Sequence, residues 1–207
     1  MSIYAISDIH GQLELLSNLM DTIPIKDGDQ FIFLGDYIDR GKNSAKVITY
    51  LIKFAQTYDC VFLKGNHEEM MLRCIQDNDP LDLQLWKLNG GNKTIRSYKG
   101  IQNVPPSHRE FLANLKLMHE TEAYIFVHAG IAPDRPLTEQ KEDELLWIRD
   151  HFFSYPTNLK KKVIFGHTPI MYLKDYYNKD KIGIDYGAGI GLNLATLKLP
   201  EEEFIVV

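Results

Sequence analysis

Five apolar runs of strand-like composition are each followed at once by a short polar motif that contains glycine. The runs cover residues 3–6, 31–34, 61–63, 124–127 and 163–165. The motifs are Asp8-Ile9-His10-Gly11, Gly35-Asp36-Tyr37-Ile38-Asp39-Arg40-Gly41, Gly65-Asn66-His67-Glu68, His128-Ala129-Gly130 and Gly166-His167-Thr168. In sheets built from βα units, catalytic groups collect at the carboxyl ends of strands. The pattern therefore predicts an enzyme whose carboxylate, amide and imidazole groups meet at one rim.

Strand and helix patterns alternate over the first seventy or so residues, which predicts an α/β fold. Apolar positions between Leu13 and Ile23 form one helical stripe that stops at Pro24. Ser44 is predicted to cap a second helix. Two thiols, Cys60 and Cys74, have no metal-type spacing and are predicted to be buried.

The strand signal disappears between about residues 79 and 117, where short helices are predicted at 81–88 and 107–115. We interpret this stretch as a helical insertion over the rim, within a single domain of residues 1–207. A hairpin is predicted at 117–128, and further strands at 181–185, 192–199 and 204–207. Strands that cluster in the second half suggest a second sheet packed against the first.

The charge balance limits the classes of partner. The formal net charge is −5 and the pI is about 5.8, so we expect no nucleic-acid partner and no anionic membrane surface. No run of eighteen apolar residues predicts a transmembrane helix. The first strand begins by residue 3, which leaves no room for a signal peptide, and a cytoplasmic location is the expectation.

The motif residues are of the types that hold two divalent ions about 3.5–4 Å apart with one shared oxygen ligand. Asp8 and His10 share one face after the first strand, because strand side chains alternate. Asp36 is the natural bridging carboxylate. Asn66 offers an amide oxygen, and two imidazoles remain for the second ion. These are His128 and His167.

A water between two such ions would have a pKa near neutrality and could act as the nucleophile. His67, next to Asn66, is best placed to protonate the leaving group, with Asp39 orienting its ring and raising its pKa. Arg40 and Arg149 can clamp phosphoryl oxygens through planar donors, and Asn66 also faces the phosphate.

These motifs, in this order, resemble the phosphoprotein phosphatase family of calcineurin-like metallophosphoesterases, over residues 3 to about 189. Trp86 with Asn89-Gly90-Gly91, and Trp147 with Arg149, are similar to its compact bacterial and phage branch. The resemblance implies a double β-sheet sandwich flanked by helices, in four αββα layers. It also implies a dinuclear site, with Mn²⁺ as the expected metal and Fe, Zn, Ni or Mg as alternatives.

The resemblance also implies roles for individual residues. Asp8, His10 and Asp36 would hold the first ion, and Asp36, Asn66, His128 and His167 the second. His67 with Asp39 would be the acid pair, and Arg40 with Arg149 would bind phosphate. Two departures are visible: Ser7 and Tyr186 stand where relatives usually have Gly and Thr. Neither is a ligand, so both are expected to bear on substrate fit.

Three functions remain open. The first is a serine/threonine protein phosphatase that works by direct attack of metal-bound hydroxide, and phosphotyrosine is a further substrate class. The second is a hydrolase of dinucleoside polyphosphates such as diadenosine tetraphosphate, which would need a closed pocket with aromatic side chains for adenine. The third is a non-catalytic binding module, which has no need of the acid His67. Trp86, in the insertion, is expected to affect substrate choice and not chemistry.

Other polar residues are assigned structural roles. Glu68 is interpreted as a helix-start acid, and Asp185 as a residue behind the ligands. Three histidines without a motif are expected at the surface or in packing. They are His108, His119 and His151.

Overall fold

The computed structural model describes residues 1–77, 79–173 and 176–207. Its strands are β1 Ile3–Ile6, β2 Gln30–Phe33, β3 Asp59–Phe62, β4 Met118–Glu120, β5 Tyr124–Val127, β6 Lys162–Phe165, β7 Lys181–Gly183, β8 Ala195–Leu199 and β9 Glu203–Val206. Its α-helices are α1 Leu13–Thr22, α2 Ser44–Phe54, α3 Asn66–Gln76, α4 Pro80–Trp86, α5 Asn92–Ser97, α6 Pro106–Ala113, α7 Glu142–Trp147 and α8 Asp150–Ser154.

The strands form two sheets. The first has the order β3-β2-β1-β8-β9, with β1, β2 and β3 parallel and β8 antiparallel to β1. The second has the order β4-β5-β6-β7, with β5, β6 and β7 parallel. Strands β4 and β5 form the antiparallel hairpin predicted from the sequence. Parallel strands end on the same edge of their sheet, so each sheet delivers its motifs to one side.

Side-chain alternation along the strands builds three apolar layers. In β1, Tyr4 and Ile6 pack against helices, whereas Ala5 faces the other sheet. The layer between the sheets joins Ala5 and Ile32 to residues of β5 and β6, among them Phe126 and Ile164. A third layer packs α7 and α8 on the second sheet. Since both faces of the central strands are covered, their sequences are continuously apolar. The predicted α/β sandwich flanked by helices is confirmed.

The prediction that the strands of the second half form a separate sheet is wrong for the last two. β8 pairs with β1, with Leu197 opposite Ala5, and β9 pairs with β8. Leu197 and Leu199 thereby add to the layer between the sheets. Strand composition does not encode which sheet a strand joins, because both inner faces offer the same apolar surface.

The segment between α3 and β4 is helical, but it packs beside the first sheet. α4 contacts α3, while α5 and α6 contact α2, and Trp86, Tyr98 and Leu112 join the apolar layer there. Between α4 and α5 the chain makes a π-type turn, Lys87–Gly91, interrupted at Gly90. The helices of this segment thus lie beside the first sheet, and the Lys87–Gly91 turn reaches the loop of Arg40 through Gly90 O. We call residues 80–97 the helical bracket.

Local details also differ from the sequence expectations. Ser44 is the first residue of α2 and not its cap, which is Asn43 without a side-chain cap bond. The Ser44 hydroxyl instead accepts a hydrogen bond from the Asp39 backbone N–H, at 3.1 Å. Cys74 is buried as predicted, whereas Cys60 on the edge strand β3 is half-buried. Within the described ranges, the helices are too short or too polar to cross a bilayer.

Candidate active site

The predicted ligand side chains meet between the two sheets at the ends of their parallel strands. Each is at most 7% exposed. They are Asp8, His10, Asp36, Asn66, His128 and His167. The left-handed backbone that the motifs adopt is unusual for residues other than glycine. Among the described residues, six of the nine such cases belong to the predicted site: Asp8, His10, Asp36, Asp39, Arg40 and His167.

Asp36 lies between two groups of possible metal ligands. Its Oδ2 is 3.4 Å from His10 Nε2, and its Oδ1 is 3.5 Å from His128 Nε2. Ligand atoms of Asp36, His128 and His167 all lie within 4.8 Å of one another. Asn66 Oδ1 adds to this group, 2.9 Å from His128 Nε2 and 3.1 Å from His167 Nδ1. One carboxylate thus faces both groups, which is the placement expected of a bridging ligand.

Backbone carbonyls fix the tautomers of two imidazoles. His10 Nδ1 donates to Ile38 O and His128 Nδ1 donates to Leu34 O, each at 2.9 Å. Their Nε2 atoms are then unprotonated and directed at Asp36, as metal ligation requires. Among the described side chains, His167 Nε2 is the only buried nitrogen or oxygen without a hydrogen-bond partner. Such an atom in a polar cavity is typical of a site built for a further ligand.

Asp8 is placed differently from the expectation. Its two oxygens accept from the His167 backbone N–H, at 3.0 and 3.1 Å, and the Ser7 hydroxyl donates to Oδ1. In the first three-residue group it is His67 that lies with His10 and Asp36. Ser7 supplies a donor that glycine would lack, so this departure acts directly on a predicted ligand. The expected effect of Ser7 on substrate fit stays a prediction.

The charges of the site fit divalent cations. Burial raises the pKa of Asp36 well above its usual value, and the Asp8 carboxylate adds to the effect. Burial lowers the pKa of His10, His128 and His167, so the imidazoles are neutral. Buried carboxylates facing neutral imidazoles lack a compensating positive charge. Hard or borderline divalent ions accept this combination of oxygen and nitrogen ligands.

His67 and Asp39 form a buried pair beside this centre. His67 Nδ1 lies 2.7 Å from Asp39 Oδ2, and His67 Nε2 lies 3.8 Å from Asp36 Oδ2. Burial and the Arg40 guanidinium, 3.1 Å from Nε2, lower the pKa of His67 well below its ordinary value. The expected rise in this pKa is therefore wrong for the substrate-free protein. Burial also raises the pKa of Asp39 to about 7, which weakens its charge.

Two residues of the helical bracket hold Asp39. Trp86 Nε1 donates to Asp39 Oδ2 at 2.8 Å, and Thr94 Oγ1 donates to Oδ1 at 2.6 Å. Trp86 is fully buried, so any effect of this residue on substrate choice, as predicted from the sequence, would be indirect. No sequence motif predicted a role for Thr94. Trp86 stood out only through its motif, which did not show the direction of its indole.

Glu68 anchors the loop that carries Asp36. Its Oε2 accepts from the N–H groups of Asp36 and Gly65, at 2.8 and 3.0 Å, and its Oε1 accepts from Tyr37 and Ile38, at 2.9 and 3.3 Å. Burial raises the pKa of Glu68, and these donors act in the opposite direction because they bond to bare oxygens. Glu68, which was predicted as a helix-start acid, thus also stabilises the loop that carries Asp36.

Three exposed side chains surround the centre. Arg40 and Arg149 are both exposed, and Arg149 Nη1 donates to Thr168 Oγ1 at 3.1 Å. Trp147, at the end of α7, is 39% exposed, and its ring centroid lies 6.1 Å from that of His167, edge to face. Two guanidinium groups and one indole are therefore available to a substrate at this rim.

The remaining titratable residues fill the predicted structural roles. Asp185 is buried, and its Oδ1 accepts from the Gly187 N–H at 2.8 Å. His108 lies in packing, where its Nδ1 is 2.8 Å from the Tyr98 hydroxyl. His119 lies on β4, half-buried, and His151 is exposed.

Comparisons with known proteins agree with this geometry. The family model described as calcineurin-like phosphoesterase matches residues 1–190. An asymmetrical bis(5′-nucleosyl)-tetraphosphatase of Oceanobacillus iheyensis is 26% identical, with 100% of this chain and 92% of the relative covered. Serine/threonine-protein phosphatase 2 of Salmonella typhimurium is 26% identical, with 95% and 92% covered. A solved protein named only provisionally as a diadenosine tetraphosphatase superposes with a TM-score of 0.78 at 22% identity, covering 100% and 92%.

Asp36→Asn is expected to lower the affinity for both divalent ions, because the carboxylate faces both ligand groups. Metal content after dialysis, measured by elemental analysis, should fall from about two ions per chain, the number a dinuclear site holds. Asp59→Asn, at an exposed position of β3, is the matched control and should keep both ions. Two tightly held ions in Asp36→Asn would contradict the bridging assignment.

Glu68→Gln is expected to lower the free energy of unfolding by about 3 kcal/mol, since the amide replaces one oxygen that accepts two buried N–H groups. Urea unfolding followed by circular dichroism measures this change. Glu69→Gln, whose partners are the half-exposed Lys64 and Arg73, should cost under about 1 kcal/mol. Equal losses in the two variants would show that the hydrogen bonds of Glu68 stabilise the fold no more than the ion pairs of Glu69 do.

Proposed function

Since the chain belongs to the calcineurin-like phosphoesterases, we propose that it hydrolyses dinucleoside polyphosphates such as diadenosine tetraphosphate. Two divalent ions, Mn²⁺ in our proposal, would be held by Asp8, His10, Asp36, Asn66, His128 and His167. When bound, such ions supply an activated water and neutralise charge on the phosphoryl oxygens. The substrate class is supported by the two tetraphosphatase-named proteins described above and by the side chains that border the centre.

The observation that carries this substrate class is Trp147. Its exposed indole stands beside His167 and borders a cavity of about 200 Å³ that Leu85 and Met70 also line. An adenine ring can stack on an indole, and base–aromatic stacking contributes about 1–3 kcal/mol. Two carboxylates at the same cavity, Asp82 and Asp143, can accept a hydrogen bond from the exocyclic amine. These side chains support a base-binding subsite next to the proposed phosphate site.

The exposed guanidinium groups fit the phosphate chain. Arg40 lies against His67, and Arg149 lies against Thr168 next to His167, so the two approach the centre from different motifs. Planar guanidinium donors bind phosphoryl oxygens in pairs. One phosphoryl group can then be oriented at the centre while its neighbours extend towards Trp147.

His67 supplies the proton for the leaving group in this proposal. Its Nδ1 donates to Asp39 Oδ2, so Nε2 is the atom that faces the substrate. In the substrate-free protein the Arg40 charge opposes protonation of this ring. A bound phosphate offsets that charge, so the pKa of His67 rises when substrate is present. The ring then holds its proton at the moment when the leaving oxygen needs it.

A serine/threonine protein phosphatase is the second candidate, and the buried acid pair favours it. A serine alkoxide cannot leave without a proton, whereas a nucleotide phosphate leaves far more readily. The Salmonella relative carries that name. A non-catalytic binding module has no use for His67 and Asp39 held at 2.7 Å. Rates measured side by side on diadenosine tetraphosphate and a phosphoserine peptide decide between the two enzymes, and a faster peptide reaction would favour the phosphatase.

Trp147→Ala is expected to raise KM for diadenosine tetraphosphate about 10-fold, which corresponds to the lower half of the stacking energy range. KM for p-nitrophenyl phosphate, which has no base, should change little. Tyr177→Ala removes another exposed aromatic ring, one bonded to Glu202, and serves as the control. If Trp147→Ala left the KM for the dinucleotide unchanged, the base subsite would be wrong.

His67→Asn is expected to lower kcat on a phosphoserine peptide by about 10²–10⁴, the usual contribution of a positioned acid. The loss on p-nitrophenyl phosphate should be smaller, because p-nitrophenolate leaves at neutral pH without a proton. Metal content should stay the same. Equal losses on the two substrates, or loss of a metal ion, would assign His67 another role, for which its place in the first ligand group gives a reason.

A further inference from the structure

We propose that Trp86 and Thr94 of the helical bracket are positioning residues for proton transfer, because they hold the Asp39 carboxylate that orients His67. This inference deepens the proposed function and rests on it. The contacts are direct: His67 Nδ1 and Trp86 Nε1 both meet Asp39 Oδ2, at 2.7 and 2.8 Å. Thr94 Oγ1 donates to the other oxygen, Oδ1, at 2.6 Å.

The hydroxyls of Thr94 and Ser44 form one hydrogen-bond network with Asp39. Thr94 has one hydroxyl hydrogen, which it donates in a hydrogen bond to Asp39 Oδ1. Thr94 Oγ1 therefore accepts from the Asp39 backbone N–H, at 2.9 Å, and from the Ser44 hydroxyl, at 2.9 Å. Asp39, Ser44 and Thr94 are all fully buried, so water does not substitute for a missing partner. Both the backbone and the carboxylate of Asp39 are thus fixed by Thr94.

The Trp86 indole is held just as firmly. It is fully buried, and a Cβ on Gly91 would lie only 2.7 Å from its ring, so glycine is needed for this packing. Gly90, in a left-handed conformation with φ of 103°, accepts from the Arg40 N–H through its carbonyl, at 3.4 Å. A Cβ on Gly90 would lie 3.0 Å from Arg40 Cγ. The helical bracket therefore contacts Asp39 through Trp86 and Thr94, and Arg40 through Gly90.

These contacts reach the site from a different side than the metal ligands do. Their loss is therefore expected to affect proton transfer and not metal binding. The metal-ligating groups are carried by strand ends of the two sheets, whereas the bracket reaches Asp39 from the helical side. Loss of one donor to Asp39 leaves its carboxylate free to turn about Cβ–Cγ, and the His67 ring loses its fixed acceptor. The effect should then appear only where a proton must reach the leaving group.

The test compares four variants of the metal-loaded enzyme on a phosphoserine peptide and on p-nitrophenyl phosphate. Trp86→Phe removes the N–H but keeps a buried ring. Thr94→Val removes the hydroxyl at constant shape, and Thr94→Ser restores it. Tyr98→Phe is the control, since it removes a buried hydroxyl of the same region that bonds His108 and not Asp39.

Trp86→Phe and Thr94→Val should each lower kcat on the peptide by about 10–100-fold, as losses of supporting hydrogen bonds do. The losses on p-nitrophenyl phosphate should be several-fold smaller, with metal content unchanged. Thr94→Ser should recover most of the peptide activity, and Tyr98→Phe should keep the wild-type ratio of the two rates. Equal losses on both substrates, or a Thr94→Ser variant as impaired as Thr94→Val, would overturn the positioning role. If Trp86→Phe does not fold, the threonine pair decides.

A second readout separates this inference from the proposed function. Nitrogen-15 imidazole NMR of the protein loaded with diamagnetic Zn²⁺ should show His67 protonated at Nδ1, and Thr94→Val should shift this signal towards a mixture of tautomers. An unchanged signal would overturn the positioning role whatever the enzyme's substrate. Conversely, if His67→Asn affects both substrates equally while the NMR shift is observed, the acid assignment fails and the positioning of the ring stands.

Discussion

The site depends on the backbone hydrogen bonds that the Glu68 carboxylate accepts. The loop after β2 carries Asp36, Asp39 and Arg40 in left-handed conformations, with φ of 54°, 70° and 60°. Each such residue costs on the order of 1–3 kcal/mol. Glu68 offsets this strain by accepting three N–H groups of the loop, and it also accepts the Gly65 N–H. Because Glu68 lies in the first turn of α3, one side chain joins the ends of β2 and β3, where the predicted ligands Asp36 and Asn66 and the predicted acid His67 are attached.

This clamp explains why the glycine at position 65 is obligatory. A Cβ there would overlap the Asp36 carboxylate and the Asp36 backbone nitrogen. The two loops approach so closely that the His67 N–H donates to Asp36 Oδ1, at 3.1 Å. Backbone of one loop thus meets ligand atoms of the other without an intervening side chain. The distance between the two ligand groups is set by this packing.

Much of this arrangement could be predicted from the sequence, because strand ends converge. Asn66 and His128 are 62 residues apart, yet each follows a parallel strand, and their side chains lie 2.9 Å from one another. What could not be predicted are contacts between elements that share no periodicity. Nothing in the composition of α4 shows that the Trp86 indole turns inwards to Asp39, or that Ser44 serves a loop and not a helix cap. The pairing of β8 with β1 is of the same kind, since either sheet could have accepted that strand.

Two parts of the fold therefore meet at the rim, and they position different side chains of the site. Strand ends hold the ligands, whereas the helical bracket and the β2 loop hold Asp39 and Arg40. Arg40 couples these parts, because its guanidinium lies 3.1 Å from His67 Nε2 and its charge adds to the effect of burial in lowering the pKa of His67. In the proposed function, a substrate phosphate bound by Arg40 offsets the guanidinium charge, which would link proton donation by His67 to the presence of phosphate. Any phosphate substrate that engages Arg40 satisfies this condition, whatever its leaving group. The neighbours of the centre, with Trp147 foremost, are then left to distinguish a nucleotide from a phosphorylated side chain.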